Sequence, residues 1–234
     1  MCNNIYSNIS DAKLLTMTSN AIIIKQALQN KCFNTDATEI KTMPPKAKFT
    51  KQEIINASIE IIETTGIETL TARNLGCKLG SSARPVFTVF DSMDDVITAA
   101  ASYANELYTQ YVDRGLSEPL PFKGVGENYI KFAFEHPKLF QLLFMKENER
   151  VPDMQNVLQG IESSYGKILG SIVTSYGVDY ETAKTLYLHT WIYSHGIAVL
   201  IATNVCEFTE EQISDMLTAV FISLLIRAKK GELK

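Results

Sequence analysis

The sequence of 234 residues is poor in the residue types that bind metals. It has three histidines and four cysteines, and the cysteines (Cys2, Cys32, Cys77 and Cys206) form no CxxC or Cys/His cluster. This scatter excludes the common zinc sites and is typical of a reduced, cytoplasmic protein. The chain also lacks an apolar run of 18 residues, so we expect no transmembrane helix and no contact with a membrane. We expect no metal and no other cofactor.

The short motifs of catalysis are missing too. The chain contains no HExxH pattern, no glycine-rich phosphate loop and no GxSxG elbow. His189 and His195 are six residues apart, a spacing that puts them on different faces of a helix. The acidic residues are interpreted as lying along exposed faces rather than within apolar stretches. We therefore expect that the protein is not an enzyme.

Helical signals dominate what is present. Apolar residues recur at helical spacing from Thr50 onward, and no strand alternation or internal repeat is found. The pattern predicts an all-α fold with about nine helices after Met43. The predicted helices follow Thr50, Thr71 and Ser82 and then span Met93 to about Arg114, Phe122–His136, Lys138–Met145, Met154–Tyr176, Asp179–Thr203 and Thr209–Lys229.

The stretch from Thr71 to Phe90 organises the prediction. Thr71 is placed to cap one short helix, and Gly80 suits the left-handed position that ends it. Ser82 would cap a second helix, with Pro85 at its third position, where a missing N–H costs little. Two short helices joined in this way have the pattern of a DNA-reading helix-turn-helix.

Charge is distributed unevenly and agrees weakly with this prediction. Residues 44–92 hold six basic and five acidic side chains, whereas residues 93–234 hold twelve basic and eighteen acidic side chains. The net charge of the whole chain is −4, which excludes a strongly polybasic nucleic-acid coat but permits a local contact surface.

The region from Thr50 to Val96 resembles the DNA-binding domain of the TetR/AcrR family of transcriptional regulators. The C-terminal half is similar to one subgroup of that family, which has a Trp…His-Gly signature. The matching segments are Glu63-Thr-Thr-Gly66, Leu70-Thr71, Leu79-Gly80, Val86-Phe-Thr-Val-Phe90, Ser92-Met-Asp-Asp-Val96, Phe134-Glu-His-Pro-Lys-Leu-Phe140 and Trp191-Ile-Tyr-Ser-His195-Gly196.

The resemblance implies a three-helix helix-turn-helix domain followed by a helical ligand-binding and dimerisation domain. It also implies a homodimer that binds a palindromic double-stranded DNA operator and releases it when a small molecule binds. The expected DNA-binding residues are Lys48, Thr71, Ser81, Ser82, Ala83, Arg84, Pro85, Phe87 and Thr88. Arg84 is expected to contact either a guanine or a phosphate, and both readings stay open. Phe87 stands where the family usually has tyrosine, so it cannot donate a hydrogen bond to phosphate.

Aromatic residues are dense in the middle of the chain. Most of them are interpreted as core, and some as the lining of an apolar cavity for the effector. The candidate ligand-binding residues are Phe132, Phe140, Phe144, Tyr187, Trp191 and His195.

The segment from Leu186 to Ala202 is apolar almost all round, so both of its sides need cover. We predict that a second subunit covers one side, as an isologous homodimer through the last two helices. A helix buried within a monomer is the alternative.

The predicted organisation is a poorly patterned extension over 1–43, a DNA-binding domain over 44–92 and a ligand-binding and dimerisation domain over 93–234. We interpret residues 1–42 as a loosely ordered tail or as sequence upstream of the true start. Two other functions stay open: an activator or ligand-free regulator on the same fold, and a helical small-molecule-binding protein or enzyme without DNA binding.

Overall fold

The computed structural model describes residues 47–147, 152–154 and 156–233, and the regular secondary structure in these ranges is helical. The predicted extension and most of the charged loop after Glu147 lie outside them. In the described residues there are nine α-helices and no strand. The helices are α1 Lys51–Thr65, α2 Ala72–Lys78, α3 Met93–Leu116, α4 Pro121–Glu135, α5 Pro137–Phe144, α6 Val157–Ile161, α7 Tyr165–Tyr176, α8 Tyr180–Ala202 and α9 Glu210–Lys229.

Local capping chemistry sets where the predicted helices begin. Thr50 and Glu53 form a capping box at the start of α1. Ser92 caps α3, and Thr209 with Gln212 forms a second capping box on α9. The predicted starts of these helices are therefore confirmed.

The predicted helix after Ser82 is wrong. Residues Val86–Thr88 form one 3₁₀ turn instead, and the amide of Val86 donates to the Ala83 carbonyl at 3.1 Å rather than to Ser82. Pro85 gives the physical reason, because it has no N–H and cannot donate to the Ser82 side chain at the third position of a helix that Ser82 would cap. Pro85 therefore stands at the entrance to the turn, with φ −62°, and is not the third residue of a longer helix.

The predicted single helix Met154–Tyr176 is also wrong, since the chain breaks between α6 and α7. Glu162 is only 7% exposed at this break, and its Oε1 accepts from the backbone amide of Ser164 at 2.9 Å. Its Oε2 accepts from the Tyr108 hydroxyl on α3. A carboxylate taken from water needs such donors, and we attribute the bend of the chain to meeting that need. The predicted number of nine helices agrees with the described residues, because the split into α6 and α7 adds one helix and the 3₁₀ turn after Ser82 removes one.

Helix α4 lies at the centre of the domain and contacts α3, α5, α7, α8 and α9. Its closest approach is to α3, where a Cβ atom added at Gly124 would lie 2.4 Å from the Gly115 carbonyl oxygen. The two backbones touch because neither residue has a side chain. Helix α1 packs against α3 and α5, which joins the first helices to this centre.

Helices α8 and α9 each keep one face uncovered. On α8 the exposed residues recur as His189, Ile192, Gly196 and Leu200, at spacings of three and four. The exposed large apolar residues of α9 are Ile222 and Ile226. No helix in the described ranges is long and apolar enough to cross a membrane.

Candidate functional site

The turn between α2 and the 3₁₀ turn is fixed by two glycines. Gly80 has φ +63°, and the amides of Gly80 and Ser81 donate to the carbonyls of Cys77 and Gly76. This pair of hydrogen bonds is a Schellman motif, in which carbonyls of the last turn of α2 find hydrogen-bond donors. At Gly76 an added Cβ would lie 2.7 Å from the backbone of both Ser82 and Ala83. The chain therefore folds back on α2 at backbone contact distance.

The 3₁₀ turn has one buried side and one exposed side. Val86 and Phe90 are 0% and 6% exposed, whereas Phe87 is 45% exposed. Arg84 and Thr88 are exposed as well. The core thus anchors this turn and holds an arginine, an aromatic ring and a hydroxyl at the surface.

The predicted DNA-binding residues do lie close along the chain and partly in space. Lys48 donates from Nζ to Ser81 Oγ at 3.0 Å, which brings the segment before α1 against the turn after α2. Among the nine, those on the surface are Lys48, Thr71, Ser82, Arg84, Phe87 and Thr88, and those partly covered are Ser81, Ala83 and Pro85.

Three of the four predicted hydroxyls, those of Thr71, Ser81 and Thr88, differ in what they still offer a phosphate, which accepts hydrogen bonds and does not donate them. Thr88 Oγ1 already donates to the Pro85 carbonyl at 2.7 Å, so its hydrogen is used. Thr71 Oγ1 accepts from the Asn74 amide, and Ser81 Oγ accepts from Lys48, so both keep a free hydrogen. Thr71 and Ser81 are better phosphate donors than Thr88 in this conformation.

The predicted ligand residues gather around a buried tyrosine, Tyr129. Its hydroxyl lies 2.9 Å from His195 Nδ1, and its ring contacts Phe140 and Phe144 at centroid distances of 5.5 and 5.3 Å. Trp191 stacks on His195 at 5.1 Å. Burial lowers the pKa of His195, so the neutral imidazole is favoured beside the tyrosine.

Of the other two predicted residues, Phe132 joins this cluster through a further ring, whereas Tyr187 only shares the lining of a small cavity with Tyr108 and Tyr129. Phe132 contacts Tyr108 at 5.4 Å, and Tyr108 contacts Tyr129 at 5.9 Å. Tyr187 stacks on Tyr165 at 5.7 Å.

Sequence reasoning missed Tyr108 and Glu162. Burial raises the pKa of the Glu162 carboxyl, and it also raises that of the Tyr108 hydroxyl. The interpretation that acids lie on exposed faces is wrong for Glu162. Its spacing of four from the buried Leu158 and seven from the buried Leu169 was the available signal, because it places an acid on an apolar face.

Two cavities adjoin this cluster. A small one of about 20 Å³ is lined by Tyr108, Tyr129, Tyr187 and Trp191 among others, and it has room for about one water molecule. An apolar one of about 170 Å³ lies between α4, α8 and α9 and shares Phe122, Gly126 and Thr190 with the first. The cluster is therefore closely packed, with a larger apolar space directly beside it.

Contacts connect the cluster to α1. His136 lies between α4 and α5, and its Nδ1 is 2.7 Å from Glu63 Oε1 at the end of α1. The His136 ring contacts Phe132 and Tyr111 at 5.6 and 6.0 Å, and the Tyr111 hydroxyl donates to Glu135. Burial and this hydrogen bond raise the pKa of Tyr111 to about 12.

Comparison with known proteins shows which family the chain resembles. Residues 122–222 match the model of the tetracyclin repressor-like, C-terminal domain. Over 198 residues the chain is 21% identical to an uncharacterized HTH-type transcriptional regulator of Mycobacterium tuberculosis, with 82% of this chain and 85% of the relative covered. The C-terminal half of the chain matches a TetR-like domain, and most of the chain is similar to an HTH-type transcriptional regulator. The fold agrees with that of a TetR-like transcriptional regulator from Rhodococcus sp. RHA1, at a TM-score of 0.55 and 14% identity over 77% of this chain and 96% of that one.

The match to the C-terminal model lies in the half where the sequence motifs were weakest, so it supports the resemblance independently of the helix-turn-helix. The predicted family and fold class are confirmed. The matched domain and the curated relative are those of transcriptional regulators and not of enzymes.

Proposed function

We propose that this TetR-like regulator is a repressor that a small molecule releases from a palindromic operator. The observation that carries the proposal is the two-sided 3₁₀ turn, in which Val86 is fully buried while Arg84 and Phe87 face solvent. An exposed arginine on a rigidly anchored turn suits the reading of base edges. We propose residues 44–92 as the DNA-binding domain and residues 93–234 as the ligand-binding and dimerisation domain.

In this proposal the contacts divide by chemistry. Arg84 reads a guanine, since a guanidinium reaches O6 and N7 together. The Arg84 side chain is exposed and forms no hydrogen bond or ion pair with any described residue. Phe87 packs against a base edge such as a thymine methyl group, because its ring cannot donate to phosphate. Lys48, Thr71 and Ser81 hold the phosphate backbone and set the register.

The dimer forms through the uncovered faces of α8 and α9. Ile192 and Leu200 on α8 are 48% and 37% exposed, and Ile222 and Ile226 on α9 are 44% and 50% exposed. Gly196 lies between the two α8 residues with nothing within 4 Å of an added Cβ, so another helix can approach closely there. Two-fold pairing of these faces would place two DNA-binding turns on one side of the dimer.

The effector occupies the aromatic cluster together with the apolar cavity beside it. A ligand there displaces the rings around Tyr129 and favours a conformation in which α1 and the turn are moved. The contacts from Tyr108 through Phe132 and His136 to Glu63 give the route by which that displacement reaches the DNA-binding domain. The repressor would then no longer match half-sites one helical turn, about 34–36 Å, apart.

Selection of binding sites from a random DNA library, followed by footprinting, tests the proposal. We expect a two-fold symmetric site whose affinity falls steeply as salt rises. Light scattering at tens of micromolar protein should show a dimer, because a dissociation constant well below that concentration leaves few monomers. Selection of no consensus sequence would end the proposal, and so would a site without symmetry.

A further inference from the structure

A second groove lies on the other side of α4 from the aromatic cluster. Its volume is about 820 Å³, and its walls come from the end of α3, one face of α4 and the start of α9. The groove has no residue in common with the cavities beside the cluster. We propose that this groove binds an organic cation, namely an ammonium group attached to an aromatic or aliphatic body.

Charge is the first reason. Five carboxylates line the groove against two cations, Arg114 and Lys131. The five are Glu118, Glu127, Glu135, Glu210 and Glu211. Lys131 lies 3.9 Å from Glu135, and Arg114 stacks over the Tyr111 ring at 4.8 Å. Glu127 lies 3.7 Å from Lys123 outside the groove. Glu118, Glu210 and Glu211 form no ion pair or side-chain hydrogen bond with any described residue, and only the N-terminal end of α9 offsets the charge of Glu210 and Glu211.

An unpaired buried acceptor is the second reason. Asn128 lines the groove and is only 8% exposed. Its Nδ2 donates to the Gly124 carbonyl at 2.9 Å, while its Oδ1 has no partner among the described residues. The opposite orientation of the amide would bring two oxygens together, so the unpaired atom is the oxygen. A small rotation of the side chain would let it accept a hydrogen bond from an ammonium group, which carries donors only.

Aromatic surface is the third reason. Phe134 on α4 is 70% exposed at the groove, and Phe208 before α9 is half-buried on the opposite side. Exposed phenylalanine rings beside carboxylates suit the apolar body of the ligand, and their faces attract a cation. A neutral ligand would leave the carboxylates unused, and an anion would be repelled.

Calorimetry with naphthylmethylammonium and its neutral analogue naphthylmethanol tests the proposal on the full-length protein. The wild type should bind the ammonium compound at least about tenfold more tightly than the alcohol, a difference of about 1.4 kcal/mol. Added salt should weaken the binding of the ammonium compound and leave that of the alcohol unchanged. Equal affinity for the two compounds would overturn the proposal, as would absence of ammonium binding up to about 10 mM.

Variants locate the site. The double variant Glu118→Gln, Glu210→Gln removes one carboxylate from each wall and should lower affinity about tenfold. Asp94→Asn is the matched control, because Asp94 also lies in the first turn of a helix but outside the groove, and affinity should stay unchanged. Phe134→Ser removes a highly exposed ring and should weaken binding about threefold without affecting the fold. Full affinity in both groove variants would place the cation elsewhere and overturn the proposal. Operator binding by these variants is a separate readout, because no residue of the groove belongs to the proposed DNA surface.

Discussion

The helix-turn-helix segment and the central helices have cores of different kinds. In the first, the fully buried side chains are aliphatic, such as Ile54, Leu75 and Val86. In the second, they include Tyr108, Phe132 and Phe140. No carboxylate or histidine is buried among the described residues 47–92, whereas the central core holds Glu162 against a tyrosine. The first core is held mainly by aliphatic packing, whereas the second also contains a buried acid that is hydrogen-bonded to a tyrosine.

The largest expected effect comes from deleting a ring in the central core. Phe132→Ala should lower the free energy of unfolding by about 3–5 kcal/mol, because the ring is fully buried and leaves a cavity. Phe134→Ala, two residues along the same helix and 70% exposed, is the control and should change it by no more than about 0.5 kcal/mol. Urea unfolding followed by circular dichroism measures both. Similar losses for the two variants would contradict the packing described for α4.

In the helix-turn-helix segment, the most sensitive position is Gly76, where two parts of the backbone touch. Gly76→Ala places a Cβ against the backbone of Ser82 and Ala83. This contact should lower the free energy of unfolding by about 1–3 kcal/mol and abolish specific DNA binding. Gly170→Ala on α7 is the matched control, since its added Cβ meets nothing within 4 Å. This helical substitution should stabilise the protein by up to about 1 kcal/mol. Thermal melts and DNA binding give the two readouts, and full DNA affinity of Gly76→Ala would show that the turn is looser than described.

The central core, unlike the helix-turn-helix core, should make a small pH-dependent contribution to stability through its buried Glu162. Because burial raises the pKa of Glu162 in the folded state, the folded protein binds more protons than the unfolded chain above the ordinary glutamate pKa. Stability from this group is therefore present at low pH and is lost as pH rises through the raised pKa. Glu162→Gln keeps the shape without the charge, so its stability relative to wild type should increase as pH rises.

Urea unfolding of wild type, Glu162→Gln and the exposed control Glu106→Gln across the acidic to neutral range measures this difference. The control should track the wild type. A constant difference between wild type and Glu162→Gln at all pH values would mean that Glu162 titrates as it does in the unfolded chain.

The same contrast explains what the sequence could predict. Caps such as Thr50, Ser92 and Thr209 act within one helical turn, so the starts of their helices were read correctly. Gly80 was likewise assigned to the left-handed position that it occupies. The aromatic residues expected near a cavity do gather in space, although the space among them is small.

Two features depended on effects that helical periodicity does not contain. The missing N–H of Pro85 removes a donor that Ser82 would need to cap a helix, and the predicted helix is one 3₁₀ turn. The partner of Glu162 is Tyr108, 54 residues away along the chain, and no local pattern pairs them. The groove between α3, α4 and α9 was missed for the same reason, because its carboxylates come from distant segments.

The central claim is that an anchored turn presents Arg84 to DNA. Fluorescence anisotropy on the selected operator and on unrelated DNA, with wild type, Arg84→Ala and the control Arg227→Ala on α9, tests it most directly. Arg84→Ala should lose about 1–3 kcal/mol of specific affinity and relax the preference at one base position, while non-specific binding changes little. Arg227→Ala should bind as the wild type does. Unchanged operator affinity and base preference in Arg84→Ala would contradict the account.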